Sequence, residues 1–260
     1  MITSSGNPKV KHMIQLGKKA RERKKEGVFL VEGVKMFREA PRDRLVQTFV
    51  SESFLKDPEH GPLLEGIRWE AVKDSVFAQM SDTLTPQGIL SVVRQQEQEP
   101  RQLFAREKPL LLVLEDLQDP GNVGTIFRTA EGAGVSGIIM TRNCVDIYHP
   151  KTVRATMGSI YRVPFLCAED LDSVLRMLKE NGIVTYAAHL KGQETYDRED
   201  YCRGTAFFIG NEGNGLSDWL AGRADRLIRI PMEGQLESLN ASVAAAILMY
   251  EAARQRRNSL

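Results

Sequence analysis

The run LLLVLEDL at residues 110–117 constrains this chain more than any other stretch. A strand with one face in water alternates apolar and polar residues. An unbroken apolar run, closed by the turn cluster Asp119-Pro120-Gly121-Asn122, instead reads as a strand buried on both faces, the kind that occurs in parallel sheets covered by helices. GIIM (137–140), IVTYAA (183–188), TAFFIG (205–210) and RLIRI (226–230) read as further strands. Between and after them, NVGTIFRTAEGAG and residues 152–160, 171–179, 217–222 and 238–255 read as helices. Strand and helix alternating in this way predict an α/β parallel sheet with ligands at the C-terminal ends of its strands. In the last helix Val243, Ile247 and Tyr250 fall at i, i+4 and i+7, a spacing that predicts a buried stripe with small Ala residues beside it.

The part before this run reads as a separate, smaller α/β domain over residues 1–95. It has a basic helix at 8–25, strands at 27–33, 45–50, 67–71 and 88–93, and a helix VKMFREA between the first two strands. The polar stretch RQQEQEPRQLFAREK has little periodicity, so residues 96–108 are expected to be a linker and 109–260 the second domain.

Charge bears on partners only locally. Lys and Arg number 35 against 34 Asp and Glu, which carries no global argument for nucleic acid. Residues 9–25, however, hold Lys9, Lys11, Lys18, Lys19, Arg21, Arg23, Lys24 and Lys25 against the single Glu22, and such a run is either a solvated helix face or a polyanion site. Cys144, Cys167 and Cys202 form no CxxC pair, and the histidines are scattered, so neither a disulfide framework nor a metal is expected. With no apolar run near 18 residues and no apolar signal core at the N-terminus, the chain reads as cytoplasmic, with no membrane partner.

Three segments carry the chemistry. Gly132-Ala-Gly134-Val-Ser-Gly137 satisfies GxGxxG, but it follows a helix and precedes a strand, whereas a dinucleotide fingerprint needs the reverse order. It reads as a helix cap, and no GxxxxGK[ST] is present. Gly210-Asn-Glu-Gly-Asn-Gly-Leu216 directly follows a strand and precedes a helix; its glycines allow close backbone approach to a ligand. Glu212 there would repel phosphate and suits a cationic or hydroxyl-bearing ligand. Asn122 stands where a helix N-cap would, with Arg128 about one and a half turns on. Finally, IRIPMEGQLESLNASVAAAILMYE runs from strand through polar turn to helix and gathers Ser238, Leu239 and Asn240 at the junction.

Together DPGNVGTIFRTAEGAG, IGNEGNGLS and IPMEGQLESLNASVAAAILMYE resemble, in order and separation, the three signature motifs of the SpoU/TrmH family of RNA 2′-O-ribose methyltransferases. NPKVKHMIQL and GVFLVEGVKMFREA resemble the opening of the L30e-like substrate-binding domain that many members carry. Ala241 stands where Val is common in the third motif.

The resemblance implies a SPOUT-class α/β sheet with a C-terminal trefoil knot, a homodimer, and S-adenosylmethionine as cofactor. It assigns cofactor contacts to His189, Leu190 and Gly192, to Gly210, Asn211, Glu212 and Gly215, and to Ile230, Met232, Ser238 and Leu239. Asn122, Arg128, Glu212, Ser238 and Asn240 are its catalytic set, with Arg128 acting at the ribose and Ser238 and Asn240 expected to hold Arg128 or the ribose. RNA is expected to meet Lys9, Lys11, Lys18, Lys19 and Arg21, together with Arg142, Lys151, Arg154 and Arg162. Ribosomal RNA is favoured over tRNA. Two other classes stand beside this one. A hydrolase would use Ser238, His189 and Glu212, but Ser238 has no GxSxG elbow. A non-catalytic RNA-binding module has no need of Asn122, Arg128, Glu212, Ser238 and Asn240, all of which are present.

Overall fold

The computed structural model describes residues 1–259. The elements run α1 (Pro8–Lys18), α2 (Ala20–Glu26), β1 (Val28–Glu32), α3 (Val34–Glu39), β2 (Leu45–Ser51), α4 (Glu52–Leu55), β3 (Trp69–Val72), α5 (Asp74–Met80) and β4 (Ile89–Arg94). They continue α6 (Pro100–Leu103), β5 (Leu110–Leu114), α7 (Pro120–Ala133), β6 (Gly137–Thr141), α8 (Pro150–Thr156), β7 (Phe165–Ala168), α9 (Leu171–Glu180), β8 (Val184–Ala188), β9 (Glu194–Thr195), β10 (Thr205–Ile209), α10 (Asp218–Ala221), β11 (Arg226–Arg229) and α11 (Ala241–Asn258). The chain forms two compact units, Met1–Glu97 with Asp146–Tyr161, and Gln98–Val145 with Arg162–Leu260. Among the described residues no helix is long and apolar enough to cross a membrane.

The first unit has a four-stranded sheet in the order β1-β4-β2-β3, antiparallel except for the β2/β3 pair. The expected basic helix breaks at Lys19, whose backbone is extended (φ −118°, ψ 107°). Arg23 explains the break. Its guanidinium turns inward, donates to the Leu16 and Gly17 carbonyls at the end of α1 (2.6 and 3.1 Å), and pairs with Asp146 at 2.6 Å. It thereby satisfies helix-end carbonyls that a continuous helix would have used itself. At 2% exposure Arg23 is core and does not belong to the basic face expected of it. Tyr148 packs its ring 4.7 Å from Phe29, and Arg154 pairs with Asp82, so Asp146–Tyr161 joins this unit although its sequence position lies inside the expected second domain.

The second unit is a seven-stranded sheet in the order β7-β6-β5-β10-β8-β11-β9, every described pair being parallel. All five residues of β5 are buried, as its apolar run predicts. Strand order reverses beside β5: β6 and β7 lie on one side, β10, β8, β11 and β9 on the other. Ligands gather at the C-terminal ends of strands at such a switch point. Two strands are invisible in the sequence. β7 is a four-residue edge strand, and β9 pairs over only two residues, too short for any period to show.

Two expectations about packing are corrected. Leu103, inside the expected linker, is 1% exposed and fills the space above Gly137, where a side chain would collide with it. In α11 the expected stripe does not hold: Val243 and Tyr250 are 47% and 48% exposed and Ile247 is half-buried, while Ala241, Ala245, Leu248, Met249, Ala252 and Ala253 are buried. That helix packs against α7, in which Gly124 is buried while Gly121 is half-buried and Gly132 exposed.

Candidate active site

The site is built where β5, β10, β8 and β11 end. β5 ends at Leu114, and two residues on Asp116 takes a left-handed backbone (φ 56°), uncommon for a residue with a Cβ. Its neighbours hold it there. The Asp116 N–H donates to Thr141 Oγ1 (2.9 Å), its carboxylate accepts from Thr141 Oγ1 and Asn143 Nδ2 (2.6 and 3.2 Å), and its carbonyl accepts from Asn211 Nδ2 (2.7 Å). Glu115, 8% exposed, accepts from the N–H and Oγ of Ser217 (2.7 and 2.6 Å) and so ties β5 to the far end of the glycine loop.

The N-cap of α7 is Asp119, not Asn122: Asp119 Oδ1 accepts from the Asn122 N–H at 2.8 Å, and Pro120 sits in the first turn where its missing N–H costs nothing. Asn122 lies further inside, which frees its amide for other work. Asn122 Nδ2 donates to Glu212 Oε1 (3.0 Å), and Asn122 Oδ1 accepts from Asn240 Nδ2 (2.9 Å). Asn240 Oδ1 in turn caps α11 by accepting from the Ser242 and Val243 N–H groups (2.9 and 3.4 Å). One amide chain therefore joins the three segments singled out in the sequence.

Glu212 also accepts from the backbone N–H groups of Gln118 and Asp119, both at 3.1 Å. Its carboxylate lies at the N-terminus of a 14-residue helix, where negative charge is favoured. Partial burial pushes its carboxyl up, but the hydrogen bonds from Asn122, Gln118 and Asp119 outweigh that and hold it below the ordinary carboxylate range. Glu212 thus pins the glycine loop to α7; its described hydrogen bonds are to the protein itself rather than awaiting a cationic ligand. Because its folded pKa is depressed, this contribution is present above the unfolded value and is lost as pH falls through the folded one. Glu212→Gln is therefore expected to show a flatter dependence of unfolding temperature on pH than the parent chain between about pH 5 and 3. Parallel curves in thermal unfolding over that range would refute the clamp.

A cavity of about 290 Å³ opens behind this joint. The ends of β8, β10 and β11 supply Ala188, Ile209 and Arg229, the glycine loop its 210–216 backbone, and the turn before α11 Ile230, Met232, Ser238 and Leu239. His189 and Leu190 line it as well. Of the eleven expected cofactor residues ten border this cavity; Gly192 does not. Gly192 is small for another reason, because a Cβ there would meet the Ile228 and Arg229 backbone at 2.6–2.9 Å. Arg229, Glu237, Ala241 and Ala244 also line the cavity although no cofactor contact was expected of them. The two alanines carried a signal in their small size at the helix start.

Two expected contacts are absent. Arg128 is exposed, with no hydrogen bond or ion pair among the described residues, and it does not line the cavity. Ser238 makes no described hydrogen bond, and Asn240 bonds Asn122 rather than Arg128. Ser238, His189 and Glu212 share no hydrogen bond, so no hydrolase triad is assembled.

A cavity at the C-terminal ends of parallel strands beside a switch point, floored by a glycine turn, is the arrangement of an α/β enzyme holding a small cofactor or substrate. Residues 109–250 match the SpoU rRNA Methylase family, and residues 7–91 match the MRM3-like substrate binding domain. The chain belongs to the SpoU rRNA methylase family. It is 34% identical over 251 residues to the 23S rRNA (guanosine(2553)-2′-O)-methyltransferase RlmP of Bacillus subtilis (strain 168), covering 96% of this chain and 97% of that one. Among solved structures it resembles the SpoU methyltransferase AviRb from Streptomyces viridochromogenes in complex with AdoMet (TM-score 0.88, 26% identity, 96% and 98% of the two chains). It also resembles the AdoMet-bound rRNA methyltransferase from Sinorhizobium meliloti (TM-score 0.85, 31% identity, 100% and 98%).

Proposed function

We propose that this chain is a cytoplasmic, S-adenosylmethionine-dependent methyltransferase acting on a ribose 2′-hydroxyl of RNA, with ribosomal RNA the substrate class. The observation that carries the reading is the Glu212–Asn122–Asn240 chain, which fastens three sequence-distant motif loops around one cavity. The cavity suits the cofactor: apolar walls from Leu190, Ile209, Met232 and Leu239 accommodate a purine, and close-approaching backbone at Gly210 and Ile230 offers donors and acceptors for adenine and ribose. When bound, the cofactor supplies a sulfonium-activated methyl group.

In the reaction the ribose oxygen–methyl bond forms as the sulfur–methyl bond breaks, the sulfur keeps that electron pair, and the 2′-hydroxyl proton passes to water or a neighbouring base. This chain's residues align the reactants and exclude water. A guanidinium is a poor base because its pKa exceeds about 12, so Arg128 is assigned to hold the nucleotide by its phosphate and to stabilise charge developing on the oxygen. The exposed cations Lys11, Lys18, Lys19 and Arg21 form the RNA face of the first unit. Lys9 and Arg154 are engaged with Glu70 and Asp82 and contribute less. The turn at residues 230–240 is the segment we assign to a trefoil knot.

We further infer a homodimer in which Arg128 faces the partner's cavity. Gly121, Thr125, Arg128 and Gly132 share one face of α7, and the Tyr250 hydroxyl reaches Gly132, so Val243 and Tyr250 continue the same exposed surface. Val243→Asp with Tyr250→Asp is expected to give a monomer in sedimentation velocity that still binds cofactor. A variant as dimeric as the parent chain would remove this face from the interface.

The function is tested with methyl-labelled S-adenosylmethionine and unmodified total RNA, followed by nuclease digestion. The expected product carries label on ribose. Label on a base, or none, overturns the reading.

A further inference from the structure

At the opposite ends of the same strands lies a groove of about 960 Å³, bordered by α9, the start of β8, residues 198–203 and the turn before β11. Arg176, Lys179, Arg198, Arg203, Arg223 and Arg226 line it. Four acidic residues line it too: Asp172 is exposed, its carboxylate without a described partner, and the other three are occupied. Asp225 accepts from the Thr185 N–H and Oγ1 (2.8 and 2.7 Å), Asp200 from Arg203 and the Cys202 N–H (2.7 and 2.9 Å), and Glu199 lies 3.6 Å from Arg226. Lys179 and Arg198 are exposed and have no hydrogen bond or ion pair among the described residues. Arg176 reaches a carboxylate only at 3.9 Å. Arg223 stacks 4.0 Å over the Trp219 ring and donates to the Trp219 carbonyl, so no carboxylate neutralises it. Unneutralised cations converging in a concavity attract a chain of anions, and a stacked guanidinium leaves its other plane for a nucleobase.

We propose that this groove binds the sugar–phosphate backbone of the substrate RNA away from the reacting nucleotide, an inference that rests on the RNA-methylation reading. Val184 borders the groove and Ala188 the cavity, at the two ends of β8. At ~3.3 Å per residue the two sites are about 13 Å apart along the strand. That line runs through the buried sheet, so RNA follows a longer surface path of more than about four nucleotides at ~3.4 Å spacing, and the groove contacts flanking RNA without reading the methylated base.

The test is direct binding of in vitro transcribed, unmodified 23S rRNA to the full chain over a range of salt concentrations. Lys179→Glu with Arg198→Glu is expected to weaken binding about tenfold and to reduce the salt slope by about 1.4–1.8, at ~0.7–0.9 for each phosphate left without its cation. Affinity for S-adenosylmethionine stays at the parent value. Lys179→Arg with Arg198→Lys keeps both charges and is expected to bind as the parent chain does. Unchanged affinity and salt slope in the Glu variant overturn the proposal, and would leave the groove to an acidic protein surface. The readout does not require methyl transfer, so failure of the methylation assay falls on the functional reading alone.

Discussion

Arg128→Ala is expected to lower kcat for methyl transfer by about 10²–10³, the cost typical of removing one group that stabilises developing charge. Its position keeps the other readouts still. The side chain is exposed, has no described intramolecular partner and does not border its own chain's cavity, so folding has nothing to lose, and cofactor affinity depends on it only through the partner's cavity that it faces in the proposed dimer. Surface substitutions of this kind change stability by within about 0.5 kcal/mol. Arg128→Lys keeps the charge but loses the planar fork that meets a phosphate with two hydrogen bonds, and is expected to recover only part of the rate. Single-turnover kinetics with saturating cofactor make the measurement. Full turnover in Arg128→Ala would remove the residue from the chemistry, while family membership, which rests on other residues, would stand.

Gly210→Ala is expected to abolish tight cofactor binding. A Cβ at Gly210 would fall on the backbone of Gly215 and Leu216, and the Asn211–Gly215 hydrogen bonds (3.0 and 2.9 Å) hold that backbone in place. A flexible side chain would move aside; main chain closed into a turn cannot without opening the loop. Overpacking of this kind costs about 1–3 kcal/mol. If the loop opens, affinity falls tenfold for each ~1.4 kcal/mol lost. Gly234 is the control, because a Cβ there meets nothing within 4 Å. Calorimetric titration with S-adenosylmethionine should separate the two variants by at least about tenfold. Equal affinities would mean that the glycine loop does not floor the cofactor site.

How much of this was legible in the sequence differs from residue to residue. β5, β6, β8 and β10 announce themselves because each is short, largely apolar and closed by turn residues, and β11 through its Leu227-Ile228 pair ahead of Pro231. The cavity lining was legible through motif resemblance, since those residues act from loops whose order along the chain is fixed. The role of Glu212 was not. A carboxylate in a glycine turn reads as a ligand contact until its neighbours are known, and they stand 90 to 94 residues away in sequence. The α11 stripe misled for a related reason: periodicity gives most weight to large apolar side chains, but a helix lying close to glycine-bearing α7 buries its alanines and leaves Val243 and Tyr250 outside. Leu103 and Arg23 show the same limit. A polar stretch and a basic run each hid one core residue that only tertiary packing could select.

The Asn240 side chain carries two obligations at opposite ends of one amide. Its oxygen starts α11 and its nitrogen holds Asn122, so donor and acceptor must sit on the same short side chain. Aspartate, an equally good helix cap, would satisfy the first and fail the second, bringing a carboxylate against the Asn122 oxygen. A screen for thermal stability would pass such a variant as sound, although its three loops had come apart at the joint. Robustness of the fold and alignment of the site thus part company at a single atom.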